Sequence, residues 1–462
     1  MSRSQLLLAA LVFGCAAAAQ TPANIPIRSV TPLGSVDAAF RLPEQVREIA
    51  GGRILVNDAG GRTLSLFDST LQHRTILADT LGTGSTYPAR GKLIPWLADS
   101  SLFLISDTRS LQLIDPRGSF VRVLALPRPQ DFSGLATGGP IGIDDRGHLL
   151  YQGRPGFRFP PQCHLPSDPP PPVVPPQPPL DTVPIIRADF ETRTADTVGR
   201  ARVTEVGLEL PIPTTDGNCH ITAAKVRVNP SLPATDSWVV TTRGSVAIVR
   251  GYDYHIDWID SDGTRRSTPK LPFDWRRLTD GEKQAKIDSA KRIIDSLTAA
   301  GGFRLRACGR GFSFMTAPPA GGPVTPSGGG NPGAGGGGGG GAARVGGSSA
   351  ADAPATPPTD CTVIVVTPAF VPLDSMSDFI APVRERSTRA DLDGNVWILP
   401  TTSAGAKGGL LYDVVNPAGE LVERVQLPAG RDILGFGRGG VLYLSRGEFR
   451  TGFTVERVRV SR

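Results

Sequence analysis

The feature that most constrains the fold is a short apolar strand that ends in aspartate, turns, and returns as an alternating strand. Ile54–Asp68 has this form around the turn residues Gly60 and Gly61, and Leu104–Asp115 repeats it about fifty residues later. Alternating apolar runs around glycine-containing or polar turns predict β-hairpins. Weaker copies occur within residues 141–150, 238–259, 390–427 and 433–460, so that we count six units.

A repeat of roughly 40 to 50 residues with three or four strands is typical of the blades of a β-propeller. Each unit has two apolar faces, and it can bury both only by stacking on its neighbours around a ring. The sequence therefore predicts an all-β fold, a six-bladed β-propeller. The strand that ends in Asp and the Asp-x-x-Gly turn resemble the NHL-type propellers, especially exported bacterial propeller proteins of unassigned function. This resemblance covers most of the chain and implies a fold, but it implies no activity.

The last unit, Ile433–Val460, supplies only three clear strands. The segment Ile27–Leu33 predicts a strand that has no partner in the hairpin nearest to it. An unclosed ring would leave an exposed edge that promotes aggregation. We therefore expect the N-terminal segment to complete the last blade.

Two segments of low complexity interrupt the repeats. Residues 155–184 are rich in proline, which favours an extended and solvated chain. Residues 318–358 include the uninterrupted run Gly335–Gly341, and such a composition buries too little apolar surface to offset the entropy of ordering. We expect one propeller domain over residues 20–462 that carries both segments as disordered insertions.

One inserted α-helix is predicted over residues 278–300. Thr279 and Glu282 form a capping box at its start. We interpret it as a helix that lies over the propeller between two blades. The alternative, contact of a basic helix with an anionic membrane, is weakened because Asp288 and Asp295 dilute its positive charge. The predicted apolar face consists of Ile287, Ala290, Ile294 and Leu297, whereas Lys283, Lys286 and Lys291 lie largely off it.

The N-terminus has the features of a signal peptide over residues 1–19. Arg3 precedes the apolar run Leu6–Phe13, and Ala17–Ala19 provides a small-residue cleavage site. Cys15 follows Val-Phe-Gly, which resembles a lipoprotein box and makes lipidation the alternative to ordinary cleavage. No later stretch has the roughly 18 apolar residues that a membrane span needs. The sequence predicts a periplasmic or extracellular protein, either free or lipid-anchored to a bacterial membrane.

The remaining cysteines are even in number, as expected in an oxidising compartment: Cys163, Cys219, Cys308 and Cys361. We favour the disulfides Cys163–Cys219 and Cys308–Cys361, because each would close a long insertion, where a cross-link constrains the unfolded chain most. The alternative is zinc bound by Cys163-His164 and Cys219-His220. Adjacent Cys-His pairs lack the usual ligand spacing, which favours the disulfides.

No motif in the sequence marks a catalytic, metal or cofactor site. Gly435–Gly440 matches a dinucleotide-binding fingerprint by letter, but no helix follows it, and we interpret it as a hairpin turn. Asp260–Gly263 and Asp391–Gly394 resemble parts of calcium loops but lack the full ligand spacing, so we interpret both as turns. The sequence therefore predicts no catalytic residue, no metal ligand and no cofactor, and it leaves the binding site unknown.

Some aromatic and acidic side chains are further candidates for ligand sites. Tyr252, Tyr254 and Trp258 alternate along one predicted strand with His255 on its opposite face, a pattern that favours packing between blades over a ligand platform. Carboxylates that recur at similar turn positions are expected to cap those turns: Asp58, Asp107, Asp144 and Asp393.

The charge balance argues against a nucleic-acid partner, because the net charge is only +6 over 462 residues and no block of basic residues occurs. A propeller holds many loops on a rigid ring. The sequence thus favours a monomeric exported scaffold that binds a protein, peptide or glycan. The alternative is a propeller lyase or lactonase with a metal- or His-centred site at the channel mouth. The presence of only five histidines favours the scaffold.

Overall fold

The structure, a computed structural model, describes residues 25–36, 38–81, 85–89, 91–132, 135, 139–153, 181–203, 212–230, 234–299, 304–308, 311–315 and 361–461. Within these ranges the chain forms seven sheets of four or five strands and one α-helix. The N-terminal residues 1–24, most of residues 155–184 and all of residues 318–358 lie outside the described part. The predictions of a signal peptide, of lipidation at Cys15 and of disordered insertions therefore stay predictions.

The first half of the chain supplies two N-terminal strands and three complete sheets. The N-terminal strands are β1 (Ile27–Arg28) and β2 (Val30–Ser35). Sheet 1 consists of β3 (Pro43–Glu48), β4 (Ile54–Asp58), β5 (Thr63–Phe67), β6 (Arg74–Asp79) and β7 (Ser85–Thr86). Sheet 2 consists of β8 (Gly91–Pro95), β9 (Ser101–Ile105), β10 (Ser110–Ile114) and β11 (Phe120–Ala125). Sheet 3 consists of β12 (Ile141–Ile143), β13 (Leu149–Gln152), β14 (Thr182–Ala188) and β15 (Ala195–Arg202).

The second half supplies three further sheets of the same kind and a sheet that we call the inserted sheet. The inserted sheet begins with β16 (Ile212–Thr215) and β17 (Ile221–Val228). Sheet 4 follows with β18 (Ser237–Val240), β19 (Val246–Val249), β20 (Ile256–Ile259) and β21 (Arg265–Ser267). After the helix α1 (Asp280–Ala299), the inserted sheet is completed by β22 (Arg304–Cys308), β23 (Gly311–Met315) and β24 (Cys361–Phe370). Sheet 5 contains β25 (Thr388–Ala390), β26 (Val396–Ile398), β27 (Leu411–Val415) and β28 (Leu421–Gln426), and sheet 6 contains β29 (Arg431–Gly437), β30 (Val441–Glu448) and β31 (Gly452–Val460).

Sheets 1 to 6 pack around a central channel in the manner of a β-propeller. In each sheet the first strand in the chain is innermost, apart from the added N-terminal strands, and the next strands pair outward from it. The inner strands contact in succession, β3 with β8, β8 with β12, β12 with β18 and β18 with β25, and β29 contacts β3. Sheets 5 and 6 pack through buried side chains such as Trp397 and Leu442. The mostly β, propeller-type fold that the repeats predict is therefore present.

Buried side chains fill the gaps between neighbouring sheets, because the two faces of each strand point to different neighbours. In β4, Ile54 and Val56 pack with Tyr443 of sheet 6. Leu55 lies between them in the chain and packs instead with Phe103 of sheet 2. Burial of each such side chain contributes about 2 kcal/mol to stability. Both faces of the sheet are thus apolar, as the blade interpretation requires.

The N-terminal segment closes sheet 6. Val30 of β2 pairs antiparallel with Val460 of β31, which confirms that this segment completes the last unit. The pairing of the preceding strand, β1, was not predicted. Ile27 of β1 pairs in parallel with Arg424 of β28, so that the N-terminus also holds sheet 5.

The inserted sheet is absent from the predictions. Its strand order is β16-β17-β24-β22-β23, and β17 and β24 pair in parallel. The helix α1 packs on this sheet, with Ile294 against Val226, Leu305 and Val366. The expectation that the helix lies between two blades is therefore wrong. The predicted proline-rich segment, residues 155–184, overlaps a strand at its end, because β14 begins at Thr182.

The start of α1 has the predicted capping box. The Glu282 N–H donates to Thr279 Oγ1 at 3.3 Å, and the Thr279 N–H donates to Glu282 Oε2 at 2.9 Å. The predicted faces need correction, because Leu297 is 47% exposed. Lys283 is buried and its ammonium donates to Asp378 Oδ1 at 2.6 Å. In the described part of the chain, no helix is long and apolar enough to span a membrane.

Candidate functional site

The inner strands surround a cavity of about 430 Å³, which we call the channel cavity. Each of sheets 1 to 6 contributes one stretch to its wall: residues 44–47, 92–95, 139–143, 238–242, residues between 386 and 392, and residues 434–436. The wall is therefore assembled from residues that are far apart in the sequence and that meet only when the ring closes.

The channel cavity is basic. Arg47, Lys92, Arg386 and Arg389 line it, and Glu44 is the acidic residue among the lining side chains. Low-dielectric walls strengthen the field of such a cluster, because water screens it less than at an open surface. The cavity is thus suited to a negatively charged ligand.

Lys92 is the clearest sign of this imbalance. Its Nζ donates to the carbonyl oxygens of Gly139 at 3.0 Å and of Leu135 at 3.5 Å. Burial and the nearby charge of Arg386 lower the pKa of Lys92 to about 8, and Glu44 offsets this only in part. Carbonyl groups solvate an ammonium but do not neutralise it. A bound anion would complete the surroundings of this side chain.

Arg47 has a different role, because its guanidinium joins two sheets. Nε donates to Ser101 Oγ at 2.8 Å, and Nη2 donates to the carbonyl oxygens of Ser100 at 2.8 Å and of Trp96 at 3.2 Å. Burial lowers its pKa to about 10, so that it stays charged at neutral pH. Arg47 therefore fixes β3 to sheet 2 and also adds positive charge to the channel.

Gln45 makes a second link between the same two sheets. Its Oε1 accepts the Leu93 N–H at 2.7 Å, and its Nε2 donates to the Leu93 carbonyl at 2.9 Å. Asn57 Nδ2 donates to the same Oε1 at 3.2 Å. Inner strands of neighbouring sheets do not pair through their backbones, so such side chains hold the wall of the channel in place.

A second cavity of about 680 Å³ adjoins the channel cavity. The two share part of their walls, because Arg47, Pro95 and Thr242 line both. We call it the acidic cavity, because Glu48, Asp99, Asp144, Asp145 and Asp393 outnumber Arg47 and Arg438 in its wall.

Several carboxylates of the acidic cavity have partners inside the protein. Arg438 Nη2 lies 2.7 Å from both carboxylate oxygens of Asp99. Glu48 accepts the hydroxyl of Tyr443 at 2.8 Å and the N–H of Arg438 at 3.3 Å. Among the residues that the structure describes, no three His, Cys, Asp or Glu side chains are grouped to hold a metal ion. The negative charge at this end is thus largely used by the protein itself.

The predicted role of recurrent aspartates in turns is confirmed at two positions. Asp58 accepts the N–H groups of Leu42 at 2.7 Å and of Gly61 at 3.1 Å. Asp144 accepts the N–H of His148 at 2.8 Å and contacts its Nδ1, also at 2.8 Å. These carboxylates stabilise the backbone of the hairpins.

The prediction is wrong at Asp393. The capping residue of that turn is Asp391, whose Oδ1 accepts the N–H of Asp393 at 3.0 Å and of Asn395 at 2.8 Å. Its Oδ2 accepts Nε1 of Trp397 at 2.9 Å. Asp107 accepts the hydroxyl of Ser106 at 2.9 Å and, at 3.4 Å, the N–H of Ala89 in a neighbouring loop. Two aspartates in one turn cannot be ranked from spacing alone.

The turn interpretation also describes the other sequence that resembles a calcium loop. The Gly263 N–H donates to the Asp260 carbonyl at 2.9 Å, and the Thr264 N–H donates to Asp262 Oδ1 at 2.8 Å. Both bonds are those of a tight turn with an aspartate that bonds the backbone two residues on.

Four of the five histidines fall in the described part, and each contacts an aspartate. His148 contacts Asp144 at 2.8 Å through Nδ1 and Asp189 at 3.3 Å through Nε2. His255 likewise uses both ring nitrogens, on Asp253 and Asp257. Both ring nitrogens of His148 and of His255 therefore face carboxylates of the protein itself.

The aromatic residues need one correction. The strand begins at Ile256, so that Tyr252 and Tyr254 lie in the turn before it. Tyr254 and Trp258 are buried between sheets 4 and 5, which confirms packing for these two. The Tyr254 hydroxyl donates to Asp413 Oδ2 at 2.6 Å. Tyr252 is 74% exposed and does not share in this packing.

The glycine motif Gly435–Gly440 lies across the β29–β30 hairpin, which confirms that it is a turn. Gly435 has a further role that spacing did not reveal. A Cβ atom at this position would lie 1.9 Å from the carbonyl oxygen of Val46. The missing side chain lets β29 approach β3, where sheet 6 meets sheet 1.

Two of the cysteines face each other in the inserted sheet. Cys308 and Cys361 are directly opposite in the antiparallel pairing of β22 with β24. Facing residues of antiparallel strands have Cα atoms about 4.5 to 5.5 Å apart, which is within the range of a disulfide. Cys219 is buried, and Cys163 and His164 lie outside the described residues. Both disulfides stay predictions.

The sequence analysis did not identify the basic residues of the channel cavity. Lys92 and Arg389 are each the second residue of an inner strand. That signal is weak, since charged residues flank strands throughout the chain. Only their convergence on one cavity distinguishes them.

Comparison with known proteins finds only distant structural likenesses. No protein-family model and no curated protein matches the sequence. A member of the DUF4221 family from Bacteroides vulgatus is 8% identical with a TM-score of 0.36, over 96% of this chain and 98% of that one. A streptogramin B lyase is 9% identical with a TM-score of 0.35, over 94% and 97%. A calcium-binding regucalcin from Agrobacterium tumefaciens is 12% identical with a TM-score of 0.30, over 94% and 96%. These structures are β-propellers, and such distant likeness does not indicate what this chain binds or catalyses.

Proposed function

We propose that this chain is an exported binding protein whose channel cavity takes a small anionic ligand. The scaffold would be a six-bladed propeller, similar to the NHL type, with sheets 1 to 6 as its blades. The contacts between successive inner strands and the return contact of β29 with β3 support this number of blades. The inserted sheet would be an addition to the ring.

The observation that carries the proposal is the unbalanced charge of the channel cavity. Four basic side chains and one carboxylate line it. Within the described residues, the hydrogen bonds of the Lys92 ammonium all go to backbone carbonyl groups. Burying a charge without compensation is costly, so the partly buried ammonium of Lys92 needs a counter-charge, which a ligand in the cavity would bring. A carboxylate or phosphate group satisfies this requirement.

The rest of the wall indicates what else the ligand contains. Leu93, Ile141, Val240 and Phe436 also line the cavity, and its volume is in the range of small-molecule pockets. We expect an anionic head group joined to an apolar part. The carboxyl end of a peptide or a small organic acid has this chemistry.

Export and disulfides complete the proposal. A signal peptide over residues 1–19, with lipidation of Cys15 as the alternative, would place the protein in the periplasm or outside the cell. The disulfides Cys163–Cys219 and Cys308–Cys361 would form there, and peptide mapping without reductant tests them. Free thiols at these positions, or zinc bound in a one-to-one ratio, would contradict that pairing.

Thermal stability in the presence of small anions tests the ligand class. Citrate and inorganic phosphate are compared with chloride at equal ionic strength, with the chain that begins at Gln20. We expect the first two to raise the melting temperature of the wild type and to have no such effect on Lys92→Met. Arg122→Gln serves as the control, because it removes an exposed charge outside the channel. If neither anion stabilises the wild type, the proposal fails.

The same preparation tests the alternative, a lyase or lactonase with a metal- or His-centred site. Turnover is measured on a panel of lactones before and after treatment with a chelator. Activity that the chelator abolishes would favour the enzyme. Absence of turnover together with anion-dependent stabilisation would favour the binding protein.

A further inference from the structure

We infer that the exposed face of the inserted sheet docks on an anionic membrane surface. This surface, which we call the basic face, consists of the outward side chains of β17, β24 and β22. It lies outside sheets 1 to 6, and the inference does not depend on the ligand proposed for the channel.

The composition of the inserted sheet is one-sided. Its five strands contain four basic residues and no aspartate or glutamate. The four are Lys225 and Arg227 on β17 and Arg304 and Arg306 on β22, and all of them are exposed. The chain as a whole has 49 basic and 43 acidic residues, so such a sheet is not a consequence of general composition.

The strand registers place the four basic residues on one face. Arg304 and Arg306 lie directly opposite Val365 and Val363 of β24. In the parallel pairing, Lys225 lies beside Thr367, which is on the same side of β24 as the two valines because it is two and four residues away. The four charges therefore share a single surface with β24 at its centre.

The opposite face of the sheet is already covered. Val226, Leu305 and Val366 alternate with the outward residues and pack under Ile294 of α1. A sheet usually buries one face and exposes the other to solvent. Here the solvent-exposed face is not neutral and polar, because it combines positive charge with apolar side chains.

The apolar side chains favour a lipid surface as the partner. Val363 is 55% exposed and Val365 is 52% exposed, and the arginines lie beside them. An acidic polysaccharide would pair with the cations but would leave the valines in water. At a bilayer the valines can enter the boundary between head groups and acyl chains while the basic residues remain at the phosphates.

The test is co-sedimentation of the chain that begins at Gln20 with lipid vesicles, so that no acyl chain contributes. One set of vesicles contains phosphatidylcholine alone, and the other contains equal parts of phosphatidylcholine and phosphatidylglycerol. We expect binding to the anionic vesicles only, weakened by high salt. Each basic residue near such a surface contributes about fivefold to partitioning, so Arg304→Gln with Arg306→Gln should lower it about 25-fold.

The matched control is Arg122→Gln with Arg450→Gln, which removes the same charge from exposed positions outside the inserted sheet. It should bind as the wild type does, and both double variants should melt near the wild-type temperature because the changed side chains are exposed. Equal binding to both kinds of vesicle, or an equal loss in both double variants, would overturn the inference. So would binding to alginate, without binding to vesicles, that depends on Arg304 and Arg306.

Discussion

Gly435→Ala tests the way in which the ring of sheets is held together. The new Cβ atom would lie 1.9 Å from the Val46 carbonyl oxygen, whereas ordinary contact begins at 3.4 Å. The two inner strands β29 and β3 would therefore have to separate by roughly 1.5 Å. A shift of this size is destabilising, because protein interiors are closely packed. Because the obstacle is a main-chain atom, no side-chain rotation relieves the contact.

The expected cost is about 3 kcal/mol, the upper part of the usual range for overpacking. An unfolding entropy of about 2 cal/mol/K per residue turns this cost into a melting temperature lower by about 3 to 4 °C in a chain of this size. The assay is thermal unfolding followed by circular dichroism, with urea unfolding as an independent measure.

Gly217→Ala is the matched control, because its new Cβ atom meets nothing within 4 Å and its backbone needs no positive φ. Its stability should stay within about 0.5 kcal/mol of the wild type. If Gly435→Ala has the same melting temperature as the control, then β29 and β3 do not approach as closely as described, and our account of this glycine is wrong.

Three further predictions concern the edge, the channel and the helix. Removal of the chain through Ser35 should lower the melting temperature and promote aggregation, because β31 would become an open edge. Lys92→Met should stabilise the protein by about 3 kcal/mol at pH 7, because burial of the charge lowers the pKa of folded Lys92 to about 8 from the ordinary 10.5. That difference should shrink as the pH rises from 8 to 10.5, where folded Lys92 is already neutral. Thr279→Ala should cost about 1 kcal/mol through the lost cap of α1.

Each of these has an outcome that would count against it. An unchanged melt of the truncated chain would mean that β2 does not support sheet 6. Parallel pH profiles for wild type and Lys92→Met, measured by urea unfolding, would remove the proposed cost of the buried cation. Thr279→Ser is the control for the helix, because it keeps the hydroxyl, and equal losses in both variants would point to a cause other than the cap.

The hairpins and their stacking were predictable because the signals are local. The uninterrupted apolar run Ile54–Val56 places apolar side chains on both faces of its strand, and only a neighbour on each side can bury them. The same holds for the capping box of Thr279 and Glu282, which needs four consecutive residues. Even the closing strand followed from counting three strands where four were needed. Local periodicity and turn chemistry thus determined the type of fold.

Tertiary structure alone decided the features that join distant residues. In the inserted sheet, Lys225 pairs with Thr367, although sheet 4 and α1 lie between them in the sequence. Hydrophobic periodicity cannot predict a pairing between residues so far apart in the chain. Asp391 rather than Asp393 caps its turn because the backbone geometry directs two N–H groups at one carboxylate. Lys92 and Arg386 are unremarkable as single residues, and they form a basic site because closure of the ring brings them to one cavity, where Lys92 is partly buried. Charge in a protein acts through distance and burial, and both are set only when the chain is folded.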